Sequence, residues 1–132
     1  WFCTSPFDDY ALRHVAAAQL LTTSNDQGWA TVPGSWTWFE WGIFANAEEA
    51  ARLAKEKYKS QRWTTSHRNL RAESKPQELS GPVVTVDNDM WKGFAEGSVL
   101  AVRICALTIY WECFAHRAEI KFWRWFEPVI DL

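Results

Sequence analysis

Apolar and polar positions alternate with a period of two along most of this chain, and that period predicts strands rather than helices. The clearest run is 35–44, SWTWFEWGIF. Trp36, Trp38 and Glu40 fall on one face, and Thr37, Phe39, Trp41 and Ile43 on the other. Both faces carry large apolar groups, so this strand is expected to be central and covered on both sides. Residues 98–109 (SVLAVRICALTI) form a second strand, apolar on both faces and interrupted only by Arg103. Residues 114–126 (FAHRAEIKFWRWF) alternate through Ala118, Ile120 and Phe122 to a stop at Pro128. Shorter strands are expected over 60–69 and 82–86. Residues 10–23 (YALRHVAAAQLLTT) admit two readings. The Ala run favours helix by propensity, whereas Leu12, His14, Ala16, Ala18 and Leu20 alternate as in a strand; the strand is preferred.

One segment breaks the period. Residues 46–59 (NAEEAARLAKEKYK) predict a surface helix, with Asn46 as N-cap, Glu49 as its capping-box partner and a stripe of Ala50, Leu53, Ala54 and Tyr58. One further helical turn is expected over 87–94, opened by Asp87 or Asn88. Turn clusters lie at 24–28 and 31–34, a polar loop at 70–81, a turn bracketed by Gly93 and Gly97, and a corner at 110–113. Six or seven strands, one helix and no β-α-β alternation predict an antiparallel β-sandwich of jelly-roll type. It is read as a single domain over 1–132, with 1–9 an extended arm.

Composition sharpens this picture in one respect. Ten of the 132 residues are Trp and 16% are aromatic. Most of these rings are expected in the core and two or three at the surface. Trp38 is expected to be a core ring, and Trp29, between two turn clusters, a loop-borne one. The net charge of -2 offers no footprint for duplex nucleic acid. Arg62, Trp63, His67, Arg68 and Arg71 mix basic and aromatic types, but Glu73 and Glu78 dilute the patch. No nucleic-acid partner is therefore assigned. Without a run of eighteen apolar residues, no membrane span is expected. The chain starts at Trp1 without a basic-then-apolar leader, which favours a cytoplasmic location; the start reads as processing, trimming or part of a longer chain.

Chemistry-bearing patterns are few. The sequence contains no G-x-S-x-G, no phosphate-binding glycine loop and no H-E-x-x-H. No catalytic residue, cofactor or metal ligand is assigned, and the chain is read as a non-enzyme. Three cysteines (Cys3, Cys105, Cys113) are no disulfide framework. A Cys105–Cys113 bridge would require adjacent strands, and mid-strand Cys105 is expected to be inert. Asp26, Gln27 and Trp29 form either a structural turn with a plugging ring or a sugar site with an aromatic wall. Arg103 is either the buried partner of Glu40 or the floor of a pocket. The segment Lys121–Trp123–Arg124–Trp125 has the character of a sheet-edge cover or a docking surface.

Three segments occur together in a familiar order: Ser24-Asn25-Asp26-Gln27-Gly28-Trp29, Ser35-Trp36-Thr37-Trp38-Phe39-Glu40, and Gly97-Ser98-Val99-Leu100-Ala101-Val102-Arg103-Ile104-Cys105-Ala106. Trp63-Thr64-Thr65-Ser66-His67 and Gly81-Pro82 fit between them. This combination resembles a group of largely uncharacterised fungal domains, over roughly residues 12–123. Their Gly-Trp-Asn corner stands here as Tyr110-Trp111-Glu112. The resemblance implies a galactose-binding-like jelly-roll outline. The expected function is a non-enzymatic binding module with carbohydrate as ligand; the alternative is a protein-interaction or assembly domain, including a homo-oligomer. The expected ligand-binding residues are Asp26, Gln27, Trp29, His67, Arg103, Trp111 and Glu112.

Overall fold

The computed structural model describes residues 1–26, 36–56, 61–70, 75–107 and 112–130. Over these it is a β-sandwich of two antiparallel sheets, with a helix against the outside of one of them. The elements run β1 (Phe2–Cys3), α1 (Asp9–His14), β2 (Val15–Asp26), β3 (Thr37–Phe44), α2 (Ala47–Ala54), β4 (Thr64–Arg68), β5 (Gln77–Ser80), β6 (Val84–Thr85), a 3-10 turn (Asp89–Trp91), β7 (Val99–Ala106) and β8 (Cys113–Arg124). The first sheet has the order β1-β7-β3-β4. In the second, β2 is the middle strand, with β8 along one edge and β5 and β6 in succession along the other.

β3 and β7 behave as their two apolar faces predict. They pair without interruption from Thr37↔Ala106 to Phe44↔Val99. Phe39, Trp41, Ile43, Leu100 and Val102 point between the sheets, where they meet Val15, Ala18 and Leu20 of β2, Val84 of β6, and Ile120 and Phe122 of β8. The opposite face, carrying Phe44, Val99 and Ala101, is covered by Ala50 and Leu53 of α2 and by Trp63. Trp41 is fully buried. Among the described residues its Nε1, like that of Trp91, meets no hydrogen-bond partner, so both rings serve by apolar area rather than by polarity.

The helix forms for the reason its sequence gives. Asn46 Oδ1 accepts a hydrogen bond from the Glu49 amide at 2.8 Å, and Glu49 Oε2 accepts one from the Ala45 amide at 2.7 Å. It stops at Ala54, short of the expected 59. Just there Arg103 Nη1 donates to the carbonyl oxygens of Leu53 (3.3 Å), in the last turn, and of Glu56 (3.0 Å), beyond it. Residues 57–60 lie outside the described residues. The turn opened by Asn88, whose side chain accepts from the Met90 amide, and the positive-φ pair Gly93 and Gly97 stand where expected.

Three local expectations are overturned. Residues 9–14 are helical because Asp8 Oδ1 caps the Ala11 amide at 2.8 Å and Tyr10 stacks on His14 one turn later; only from Val15 does the strand begin. Ser24, Asn25 and Asp26 are not a turn but the end of β2, since their backbone pairs with Ala115, Phe114 and Cys113. Within the expected loop 70–81, Gln77–Ser80 is a polar edge strand, held by Leu21–Ser24. The expected arm is extended at its start and also anchored: Phe2 and Cys3 pair with Val102 and Ala101, and Phe7 enters the core against Phe94 and Phe122. The expected turn at 31–34 and most of the corner at 110–113 lie outside the described residues.

Trp38 is also placed differently from expectation. It is only partly buried, on the helix side of the first sheet, where its Nε1 donates to Glu40 Oε1 at 3.0 Å and Arg68 lies over its ring. Trp41 is the core ring. Trp41→Ala is therefore expected to cost about 3–5 kcal/mol, and Trp38→Ala clearly less. Urea denaturation of the two variants checks this, and equal losses would contradict the assignment.

Candidate binding site

Of the seven expected site residues the structure describes Asp26, His67, Arg103 and Glu112, and it sets Arg103 apart from His67. Arg103 and His67 lie on opposite faces of the first sheet. Arg103 Nε and Nη2 donate to Glu40 Oε2 at 2.8 and 2.6 Å, and its guanidinium stacks over Trp63 at 4.6 Å. Both partners of this pair are buried. Burial raises the Glu40 carboxyl, but hydrogen bonds from Trp38 and Arg103, with the charge of Arg103, outweigh it and leave the pKa below its ordinary value. Arg103 is thus the structural partner of Glu40.

Cys105, next on the same face of β7, feels this pair. Burial first, and then the Glu40 carboxylate, push its thiol up to about 12. Cys3, Cys105 and Cys113 are all free, so the Cys105–Cys113 bridge is absent. A thiol so held is protonated and unreactive. Iodoacetamide at about pH 8.5 is expected to label Cys105 roughly a thousandfold more slowly in the folded chain than in the denatured one. Peptide mapping by mass spectrometry reads this, and comparable rates would overturn it.

His67 belongs to a hydrogen-bonded layer between the sheets, at the end of the sandwich where β2, β4 and β7 terminate. Its ring stacks on Phe39 at 5.1 Å; Nε2 is 2.8 Å from Thr22 Oγ1, and Nδ1 is 2.9 Å from Ser66 Oγ. The chain of contacts continues from Thr22 to Ser24, and Ser24 Oγ donates to Asn69 Oδ1 at 2.7 Å. Asn69 Nδ2 in turn donates to Thr37 Oγ1 (2.8 Å) and Cys113 Sγ (3.0 Å). Asp26, 1% exposed, closes this layer beneath the end of β2. Gly81 fits against it because a Cβ there would stand 2.9 Å from His67 Nδ1 and closer still to Ser66 Oγ. Asn69 and Thr22 are not distinguished by the sequence: polar residues in polar-looking strands carry no signal of their cross-sheet partners. Glu112 is exposed, just before β8. Gln27, Trp29 and Trp111 lie outside the described residues.

The layer is a structural network, and burial lowers the pKa of His67. A histidine whose folded pKa is depressed contributes stability that is present above its unfolded value near 6.5 and lost as pH falls toward the folded value. Stability is expected to decline on acidification from about pH 6.5, and His67→Gln to flatten that decline. Denaturation curves across this range test it, and identical slopes would contradict it.

A different set of side chains forms an open site. On the outer face of the second sheet the registers place two rows across three strands. Arg117, Thr23 and Glu78 form one row; Glu119, Leu21 and Ser80 form the other. Together they line a cavity of about 210 Å³. Arg117 pairs with Glu119 along β8. Farther along β8, on the same face, Lys121 lies 4.8 Å over the Trp123 ring. A second cavity, of about 250 Å³, opens between the sheets, walled by Trp1, Phe2, Phe39 and Ile104, with His116 and Arg117 on the β8 side. Among the described residues, no group of three or more His, Cys, Asp or Glu is placed to hold a metal ion, and no helix is long and apolar enough to cross a membrane. No family model, no curated protein and no solved structure matches the chain.

Proposed function

We propose that the chain is a non-enzymatic binding module and that its ligand is a carbohydrate, held in the trough on the outer face of the second sheet. The observation that carries this reading is the two-row arrangement of Arg117, Thr23 and Glu78 over Glu119, Leu21 and Ser80. A pyranose presents hydroxyl edges around an apolar C–H face. Here the Leu21 side chain is the apolar centre, ringed by two hydroxyls, two carboxylates and a guanidinium. Carboxylates accept from neighbouring sugar hydroxyls, Arg117 donates, and Thr23 and Ser80 do either. Such sites combine an apolar surface with a few convergent polar groups.

The trough also has length. Trp123 stands four residues along β8 from Glu119, about 13 Å at the ~3.3 Å rise of a strand. That spacing suits a ligand of more than one ring, with the indole as a stacking surface at the far end. The jelly-roll outline implied by the fungal-domain resemblance supports the same reading.

Titration with galactose, glucose, mannose, N-acetylglucosamine and their disaccharides, followed by amide chemical shifts, tests the proposal. At least one sugar is expected to move the amides of Thr23, Glu78, Ser80 and Arg117. Glu78→Gln is expected to weaken that sugar by about tenfold, the loss of one hydrogen bond to a charged acceptor, with Tm unchanged because the side chain is exposed. A panel that moves none of these amides at millimolar concentration, or a variant that binds as well as the parent, would overturn the reading.

A further inference from the structure

We infer that β8 is a self-association edge, and that two copies of this chain join through it as antiparallel neighbours to make one continuous second sheet. β8 is a 12-residue strand, and among the described residues only β2 pairs with it. The other outer strands are short: β1 has 2 residues, β4 has 5, β5 has 4 and β6 has 2. A long edge of this kind presents a row of backbone donors and acceptors that another strand can satisfy. Beyond the register shift beside His116, where β2 steps from Thr23↔Arg117 to Ser24↔Ala115, the stretch Arg117–Arg124 is regular up to the final pairs.

The sequence of that stretch is complementary to itself when two copies are centred on Ile120. In an antiparallel pair, facing residues point to the same side of the sheet. Arg117, Glu119, Lys121 and Trp123 share the outer side with Thr23, Leu21, Gln19 and Ala17, while Ala118, Ile120 and Phe122 face inward. Centring two copies on Ile120 places Glu119 opposite Lys121 twice and Arg117 opposite Trp123 twice. The first is a charge pair and the second a cation–aromatic contact. On the inner side Ile120 meets Ile120 and Ala118 meets Phe122. The neighbouring registers fail on charge. Centring on Glu119 sets Arg117 against Lys121, and centring on Lys121 sets that lysine against its own copy. A shift by one residue sets outer residues against inner ones. Ile120 and Phe122 pack on the core yet remain partly exposed, and a second strand completes their cover.

Charge exchange tests this. Sedimentation velocity over a concentration series is expected to give a species of twice 15.3 kDa. Glu119→Lys sets a new ammonium group opposite Lys121, and Lys121→Glu places two acidic groups together. Each is expected to raise the dimer dissociation constant about tenfold or more. Mixing the two single variants brings opposite charges together again in a heterodimer, and the doubly exchanged chain restores both charge pairs in a homodimer. Circular dichroism is expected to report both single variants as folded, since both side chains are exposed. A parent that is monomeric at every concentration would overturn the inference. So would a dimer indifferent to both single changes, or one that the double exchange fails to restore.

Discussion

The Arg103–Glu40 pair is the constraint around which the three layers are arranged. It sits between neighbouring strands of the first sheet, on the face turned toward α2, and the same guanidinium reaches a carbonyl in the last turn of that helix and one just past it. One side chain thereby joins β7 to β3 by charge, the sheet to the helix by hydrogen bonds, and Trp63 to both by stacking. Two charges in such a place are costly to desolvate, and the geometry compensates only because all of these contacts are made at once. Removing either partner strands the other, a loss on the order of 3–5 kcal/mol. The pair also gives α2 a fixed terminus, which apolar contact from Ala50 and Leu53 alone would not do.

The interior between the sheets is divided. One end is filled with aromatic and aliphatic side chains; the other is filled with hydroxyl, amide and imidazole groups that satisfy one another across the gap. A polar layer of this sort adds little net stability but tolerates few arrangements. Apolar surfaces slide over one another at small cost, whereas Thr22, His67, Asn69, Thr37 and Cys113 meet in one alignment of β2, β4, β3 and β8. The register of the sandwich is thus held by its polar end and its cohesion by its apolar end.

Much of the architecture was legible in the chain. β3 and β7 stood out because both faces are apolar, and α2 because its cap and its stripe agree. The Arg103–Glu40 pair was legible too, since a lone charge in each of two central strands leaves few other partners. The short helix at Asp9–His14 was not, because Leu12 and His14 mimic strand alternation while Asp8 supplies a cap that period counting ignores. Ser24 to Asp26 read as a turn because their side chains have turn chemistry; only the facing strand reveals that those groups bond inward. The trough was invisible for a related reason. Its rows take one residue from each of three strands, and Arg117, Thr23 and Glu78 become neighbours solely through register.

The pairing of β2 with β8 has a consequence for how the molecule is made. β2 lies near the beginning of the described chain and β8 near its end, and they share the longest ladder in the fold. Contacts so distant in sequence close slowly, because the intervening chain must be ordered before they form. As the chain leaves a ribosome, the first sheet can assemble β3 with β4 while β2 still has one side open. The backbone of β2 on that side then remains without its neighbouring strand until residues 113–124 emerge. The strand that closes the longest ladder is therefore also the last of the described strands to be synthesised, and the period before it is the one in which nascent chains are most exposed to aggregation.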